Sequence, residues 1–278
     1  MKIFLFLFLA IVTLVAFYFV ASEIGKPSLK DVVENVMSGA KGKYGIVIKH
    51  SKTKEAYYAK EHELFEAGSL YKLWVMAEAF RKIKEGALKE DNLLAQDVAT
   101  LNEKFGIDPN TGELREGRIA MTVSQALNQM ITISHNYAAL LLSEKLKNSS
   151  IAQFLKEQGF RESHLGDKIN PPRTTPSDIA LFYEKLQKGE LIDKRFSLKM
   201  VELLKRQKSS GAIPKYLSND LSVAHKTGDI GWFKHDGGIV FTQNGDYIIV
   251  VLSKSSYPLG AQERIAMLSE AVYKYFNK

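Results

Sequence analysis

EAGSLYKLW (Glu66–Trp74) sets a serine, Ser69, one helical turn ahead of a lysine, Lys72, in an otherwise apolar run. The run continues as VMAEAF to Phe80 and is apolar nearly all round, the pattern of a helix surrounded by protein. A lysine buried there is held among Leu73, Trp74, Val75 and Met76, and desolvation disfavours its ammonium form. Residues three apart on a helix share a face, so Lys72 is within reach of Ser69. A serine hydroxyl is a weak nucleophile that needs a neighbouring base. At the head of the helix it also lies where backbone N–H groups point outward. Ser-x-x-Lys alone says little, because it occurs three times, at Ser38–Lys41, Ser51–Lys54 and Ser69–Lys72. Its meaning depends on the rest of the chain.

Working outward, SLKDVVENVMSGA has an amphipathic helical spacing, and KYGIVIKHS and EAYYAKE read as two strands around a polar turn. From Gly68 the pattern is helical: after the first helix come TVSQALNQMI, NYAALLLSEKLK, SIAQFLKEQG and RFSLKMVELLKRQ. TTPSDIALFYEKLQKG carries its own punctuation, with Thr175 as cap, Pro176 at the first helical position, Asp178 in the first turn and Gly189 at the close. Beyond Ser209-Ser210-Gly211, LSVAHKTGDIGWF, GGIVFTQ and DYIIVVLSK read as three strands, with Asn244-Gly245 a hairpin signal. A last helix repeats apolar residues at Ile265, Leu268, Val272 and Tyr275. This order predicts an α+β fold. The two strand groups form one five-stranded antiparallel sheet flanked by helices, with an all-helical lobe inserted between them. The sheet lobe takes residues 23–67 and 209–278 and the helical lobe 68–208, with a cleft where they meet.

Composition limits the alternatives. With 278 residues, 45% of them hydrophobic, the chain is long enough for a sizeable core, and with no cysteine that core stands without disulfides or thiolate metal sites. The net charge of +7 is spread among acidic residues, as in RKIKEGALKED, and forms no long basic block, so it reads as a solvated surface. Lys2 precedes a run without charge from Ile3 to Ala21 that is just long enough to span a bilayer. Residues 1–22 therefore read as a signal peptide, with small residues for cleavage at Val20-Ala21-Ser22, or as a membrane anchor. Either places the body outside the cytoplasm, in contact with the membrane only through this segment, and argues against nucleic acid as a partner. The chain is expected to be a monomer. With six histidines but no His-Glu-x-x-His, no metal or other cofactor is expected, and no Gly-x-Ser-x-Gly surrounds Ser69.

Two further short pieces, each occurring once, complete the pattern: Ser134-His-Asn136 between two helices and Lys226-Thr-Gly228 in a strand. Taken singly, Ser134 and Asn136 also suit helix caps, and Lys226 an exposed strand position. In order and in context, Ser-x-x-Lys, Ser-x-Asn and Lys-Thr-Gly resemble the penicillin-recognising serine hydrolases, and their class A β-lactamase branch most closely. The likeness extends over nearly all of the chain after the leader, and ITISHNYAALLL is similar to that family's second motif and the helix behind it. The resemblance implies that Ser69 is the acylated nucleophile, activated by Lys72, and that Ser134 relays a proton to the leaving nitrogen. It implies an oxyanion hole from the N–H groups of Ser69 and Asp229. Asn136 would contact the substrate amide or Lys72, and Lys226 and Thr227 the substrate carboxylate. Gly228 would let the strand approach the ligand.

Two departures separate this chain from the class A pattern. That family places a deacylating glutamate on a Glu-x-x-Leu-Asn loop, and here Glu162-Ser-His-Leu165 is followed by Gly166. SHL is therefore read as a turn before a shortened loop, which leaves Asp167 as the nearest carboxylate. The second motif also carries His135 where the family has aspartate. The expected substrates are β-lactams or acyl-D-Ala-D-Ala amides from peptidoglycan, with slow hydrolysis of the acyl-enzyme. The rival readings are a cell-wall D,D-carboxypeptidase or penicillin-binding protein, and a non-catalytic penicillin sensor or wall-binding module.

Overall fold

The computed structural model describes residues 27–108, 110, 112–167 and 169–277, so the leader or anchor reading of 1–22 lies outside the described residues. Helix α1 (Leu29–Met37) begins at Ser28, whose hydroxyl accepts from the Asp31 N–H while the Asp31 carboxylate accepts from the Ser28 N–H. Strands β1 (Lys43–His50) and β2 (Ala56–Ala59) form a hairpin, and β3 (Phe65–Glu66) leads into a 3₁₀ turn, Gly68–Tyr71. Helix α2 (Lys72–Lys84) follows, and every residue from Lys72 to Phe80 is buried, as its all-round apolar pattern requires.

The helical block continues with α3 (Val98–Phe105), α4 (Val123–Thr132), α5 (Asn136–Leu146) and α6 (Asn148–Gln158). A small hairpin, β4 (Leu93–Asp97) with β5 (Arg118–Thr122), brackets α3. A two-residue strand, β6 (Arg173–Thr174), pairs with β3. Helix α7 (Pro176–Lys188) starts on Thr175, which accepts from the Asp178 N–H, has Pro176 at its first position and closes on left-handed Gly189, as its sequence announces. Helix α8 (Lys194–Leu204) ends the block.

The chain then returns to the sheet with β7 (Val223–Ile230), β8 (Phe233–Val240) and β9 (Tyr247–Lys254), and finishes in α9 (Pro258–Phe276). The sheet is five-stranded and antiparallel, in the order β2-β1-β9-β8-β7. Strand β1 pairs with β9 along its whole length, so the segments before and after the helical block meet at the sheet's centre. One boundary differs from expectation. The turn between β7 and β8 falls at Gly231-Trp232, inside the stretch LSVAHKTGDIGWF that reads as one strand. Ile230 and Trp232 keep a spacing of two across Gly231, and no Asn-Gly or Pro marks the reversal.

Both faces of the sheet are covered, which explains the unbroken apolar run of β9. Ile248, Val250 and Leu252 join Val47 in a core shared with α2 and α4–α8, while Tyr247, Ile249 and Val251 join Ile46 and Ile48 in a second core under α1 and α9. Helices α1 and α9 run antiparallel: the Arg264 guanidinium donates to the Val36 carbonyl at 2.5 Å, and the Tyr275 hydroxyl lies by the Leu29 backbone. Among the described residues no helix is long and apolar enough to cross a membrane.

Candidate active site

Three separate segments converge where the helical block meets edge strand β7. The turn carrying Ser69 packs against β7 so closely that two positions accept only glycine. Gly68 has φ +49°, and a Cβ there would stand 3.3 Å from the Asp229 nitrogen. A Cβ on Gly228 would meet the Ala67 carbonyl oxygen at 2.8 Å and Leu70 at 3.0 Å. Gly228 also lines the cleft, and the side that a Cβ would occupy is filled by the turn that carries Ser69. Behind that turn, buried His235 on β8 ties the pieces together. Its Nε2 donates to the Glu66 carbonyl at 2.7 Å, and its Nδ1 accepts from the Ser253 N–H at 3.0 Å. An imidazole with one donor and one acceptor nitrogen is neutral. Burial pushes its pKa down to about 4.

Lys72 is fully buried, and its Nζ donates to the Ser134 carbonyl (2.5 Å), Asn136 Oδ1 (2.6 Å) and Ser134 Oγ (3.3 Å). The first motif is therefore fastened to the second rather than hydrogen-bonded to Ser69. Ser134 sits between α4 and α5 at φ +60°, a left-handed conformation that costs a non-glycine residue on the order of 1–3 kcal/mol. That conformation turns both its carbonyl and its hydroxyl towards Lys72. The capping role falls to His135, whose Nδ1 accepts from the Ala138 N–H at 3.3 Å, so the residue standing where aspartate was expected still starts α5. From β7, buried Lys226 donates to Ser134 Oγ at 3.0 Å and to its neighbour's carbonyl, Thr227 O, at 2.9 Å. The Ser134 hydroxyl thus accepts from two lysines. With both lone pairs engaged, its own proton is left to point elsewhere.

Two buried ammonium groups on one hydroxyl repel each other and lack water. Burial first, then the Lys226 charge, lowers Lys72 to about 7, against a smaller upward pull from Glu113. Burial lowers Lys226 to about 8, opposed by the charge of Asp236. Asp236 is itself buried beneath β7, bonded to His225 Nδ1 (2.9 Å) and the Ile213 N–H (3.0 Å). Burial thus brings both lysines of the pair down towards neutral pH.

Ser69, Ser134, Asn136, Thr227, Gly228 and Asp229 line one open cleft of about 360 Å³, with Lys72 and Lys226 tethered to its wall through Ser134. Asp229 forms an ion pair with Lys234 at the cleft. Among the described residues, the loop after α6 contributes no carboxylate to the cleft lining. Glu162 accepts from Thr175 Oγ1 (2.9 Å) and is bonded to His62 (3.0 Å), away from the cleft lining. Asp167, expected as the nearest carboxylate of this loop, is not among the cleft-lining residues: it caps its own turn, accepting from the Ile169 and Asn170 N–H groups at 2.7 Å each. A bridge between His164 and Arg173 closes that short loop at its base. The carboxylate that does reach the motifs is Glu113, whose Oε1 accepts from Asn136 Nδ2 at 2.5 Å. It belongs to no motif and lies in a polar connection between α3 and β5, so no spacing in the sequence pointed to it.

An antiparallel sheet with an inserted helical block, and a cleft where Ser-x-x-Lys, Ser-x-Asn and Lys-Thr-Gly meet, define a β-lactamase-like architecture. Solved structures share it. A β-lactamase from Sphaerobacter thermophilus DSM 20745 is 20% identical, with 89% of this chain and 96% of that one covered and a TM-score of 0.77. PBP-A is 22% identical, with 89% and 95% covered and a TM-score of 0.77, and a point mutant of it was solved as an acyl-enzyme complex with penicillin G. A representative class A β-lactamase from Bacteroides cellulosilyticus DSM 14838 is 18% identical, with 90% and 97% covered and a TM-score of 0.76. At these identities the likeness establishes the fold. No curated protein sequence matches. The model of the β-lactamase enzyme family matches residues 28–276, and the chain belongs to that family of hydrolases.

Proposed function

We propose that this protein is a serine hydrolase acylated at Ser69 by β-lactams or by acyl-D-Ala-D-Ala amides, which then passes the acyl group to water slowly. The observation that carries this reading is the Ser134 hydroxyl held between Lys72 and Lys226 in the cleft that also presents Ser69. In the proposed step, Ser69 Oγ attacks the amide carbonyl carbon while its proton passes to the neutral amine of Lys72. Negative charge gathers on the carbonyl oxygen, towards the backbone N–H groups of Ser69 and Asp229, a pairing supported by the close packing of Gly68 on the Asp229 nitrogen. The carbon–nitrogen bond then breaks, the leaving nitrogen takes the Ser134 proton, and Lys72 returns its proton to Ser134. Asn136 receives the acyl amide, and Lys226 and Thr227 receive the substrate carboxylate. Hydrolysis of the resulting ester needs a base to activate water, and among the described residues no carboxylate of the 161–174 loop lines the cleft.

That same feature favours the second reading, a cell-wall D,D-carboxypeptidase or penicillin-binding protein, for which long-lived penicilloyl esters are expected. PBP-A, whose mutant was captured acylated by penicillin G, is similar in fold. Intact-mass spectrometry after mixing with benzylpenicillin tests both. We expect one penicilloyl adduct per chain that decays slowly, and absence of both adduct and hydrolysis would leave only a non-catalytic binding module. Release of D-alanine from a peptidoglycan mimic singles out the peptidase. From the charge-free Ile3–Ala21 run behind Lys2 we also propose that the body is exported.

A further inference from the structure

The cleft is charged unevenly. One side presents the Asp229–Lys234 pair, in which each charge is answered by the other, with Lys226 buried behind Ser134. The other side holds Glu113, which accepts 2.5 Å from Asn136 Nδ2, a neutral donor; among the described residues it makes no ion pair, and the Lys72 charge acts on it only across the Asn136 amide. Glu113 lines the cleft and is exposed to it, and an ionised carboxylate offers about four acceptor sites, of which Asn136 occupies one. It stands one hydrogen bond beyond the amide that receives the substrate's acyl group in the proposed function, on which this inference rests. A substituent that follows the acyl carbonyl would therefore come to the Glu113 carboxylate.

We infer that Glu113 selects substrates that carry an ammonium group on the acyl side, so that the preferred ligand is zwitterionic: its carboxylate goes to Lys226 and its ammonium to Glu113. The chemical class is an amide whose acyl part bears a free amine, either an amino-substituted β-lactam or a wall peptide with an unacylated diamino acid. Glu113 acts here on substrate choice. The alternative role for this carboxylate, activation of the deacylating water, would affect substrates with and without the amine alike.

Ampicillin and benzylpenicillin differ by one amino group on the acyl side chain, and their acylation rate constants on the purified full-length protein form a ratio that tests this. Glu113→Gln should lower the ampicillin-to-benzylpenicillin ratio by about three- to fivefold, the size of an exposed ion pair. Changes that Glu113 transmits through Asn136 to both substrates cancel in that ratio. Raising the ionic strength should lower the wild-type ratio and leave the variant's unchanged. A ratio that stays within about twofold in the variant, or a wild-type ratio insensitive to salt, would overturn the inference; a ratio left unchanged while both acyl-enzymes clear more slowly would assign Glu113 to deacylation. Should neither penicillin acylate the wild type, the Ser69 reading falls instead, and the same ratio is then taken from the dissociation constants of the pair measured by calorimetry.

Discussion

Ser134 is the residue on which the site turns, because its hydroxyl is where two buried lysines meet. If Ser69 is the nucleophile, Ser69→Ala should abolish covalent labelling by a fluorescent penicillin, and equal labelling of that variant would sink the assignment. Lys72→Ala should slow acylation by about 10²–10⁴-fold, the usual worth of general-base help. The pH dependence follows from the same pair. Lys72, lowered to about 7, becomes a free amine as pH rises through that value, so acylation should climb. Lys226, at about 8, loses its charge above that pH, so recognition of the substrate carboxylate should weaken. A stopped-flow profile should show a narrow bell between the two, both limbs belonging to the coupled pair. That Ser69, Lys72 and the Lys-Thr-Gly strand stand out as a set was legible in the sequence, because each comes as a short motif with fixed local geometry. Glu113 was not, since its place depends on how a polar connection folds back over α5, a contact between distant segments that no local spacing encodes. Nor was it legible that Lys72 would bond to the Ser134 carbonyl instead of Ser69, although its contact with Asn136 was one of the two expected.

Among the elements, the α6–α7 loop and the β7–β8 hairpin carry separate expectations. Glu162 is bonded to Thr175 and His62 outside the cleft lining, so Glu162→Gln should leave deacylation within about threefold of wild type. Fast turnover that collapses in this variant would place a working base on the loop after all. On the hairpin, His235 links β8 and β9 to the strand before Ser69 and stays neutral in the fold, at about 4. An unfolded histidine takes its proton near 6.5. The neutral form's contribution is therefore complete above pH 6.5 and is lost as pH falls towards 4, an amount on the order of 3 kcal/mol. Chemical denaturation of His235→Gln against wild type should show that difference shrinking over this range; a difference independent of pH would contradict it. The helix from Thr175 to Gly189 and strand β9 could be read from sequence because caps and apolar runs are local. The β7–β8 turn could not, since Gly231-Trp232 interrupts neither pattern, and the short β4–β5 and β3–β6 pairings exist only through partners far along the chain.

On the scale of the whole molecule, the proposed export predicts that protease added to intact spheroplasts will digest the folded body, and protection until lysis would refute it. A mature chain beginning at Glu23 would mean a cleaved signal; one retaining Met1–Ser22 would mean a tether. For a tether, the antiparallel packing of α1 on α9 has a geometric consequence. The chain enters the domain at Leu29, beside Tyr275, whereas the cleft is lined by Gln262 and Ile265 towards the other end of the same helix. At 1.5 Å per residue, Gln262 and Tyr275 stand about 20 Å apart along the axis. A domain held by its Leu29 end presents its mouth on the side away from the leash. It would reach outward into a polymer mesh, with a working radius set by the length of the linker, instead of grazing the lipid surface that holds it.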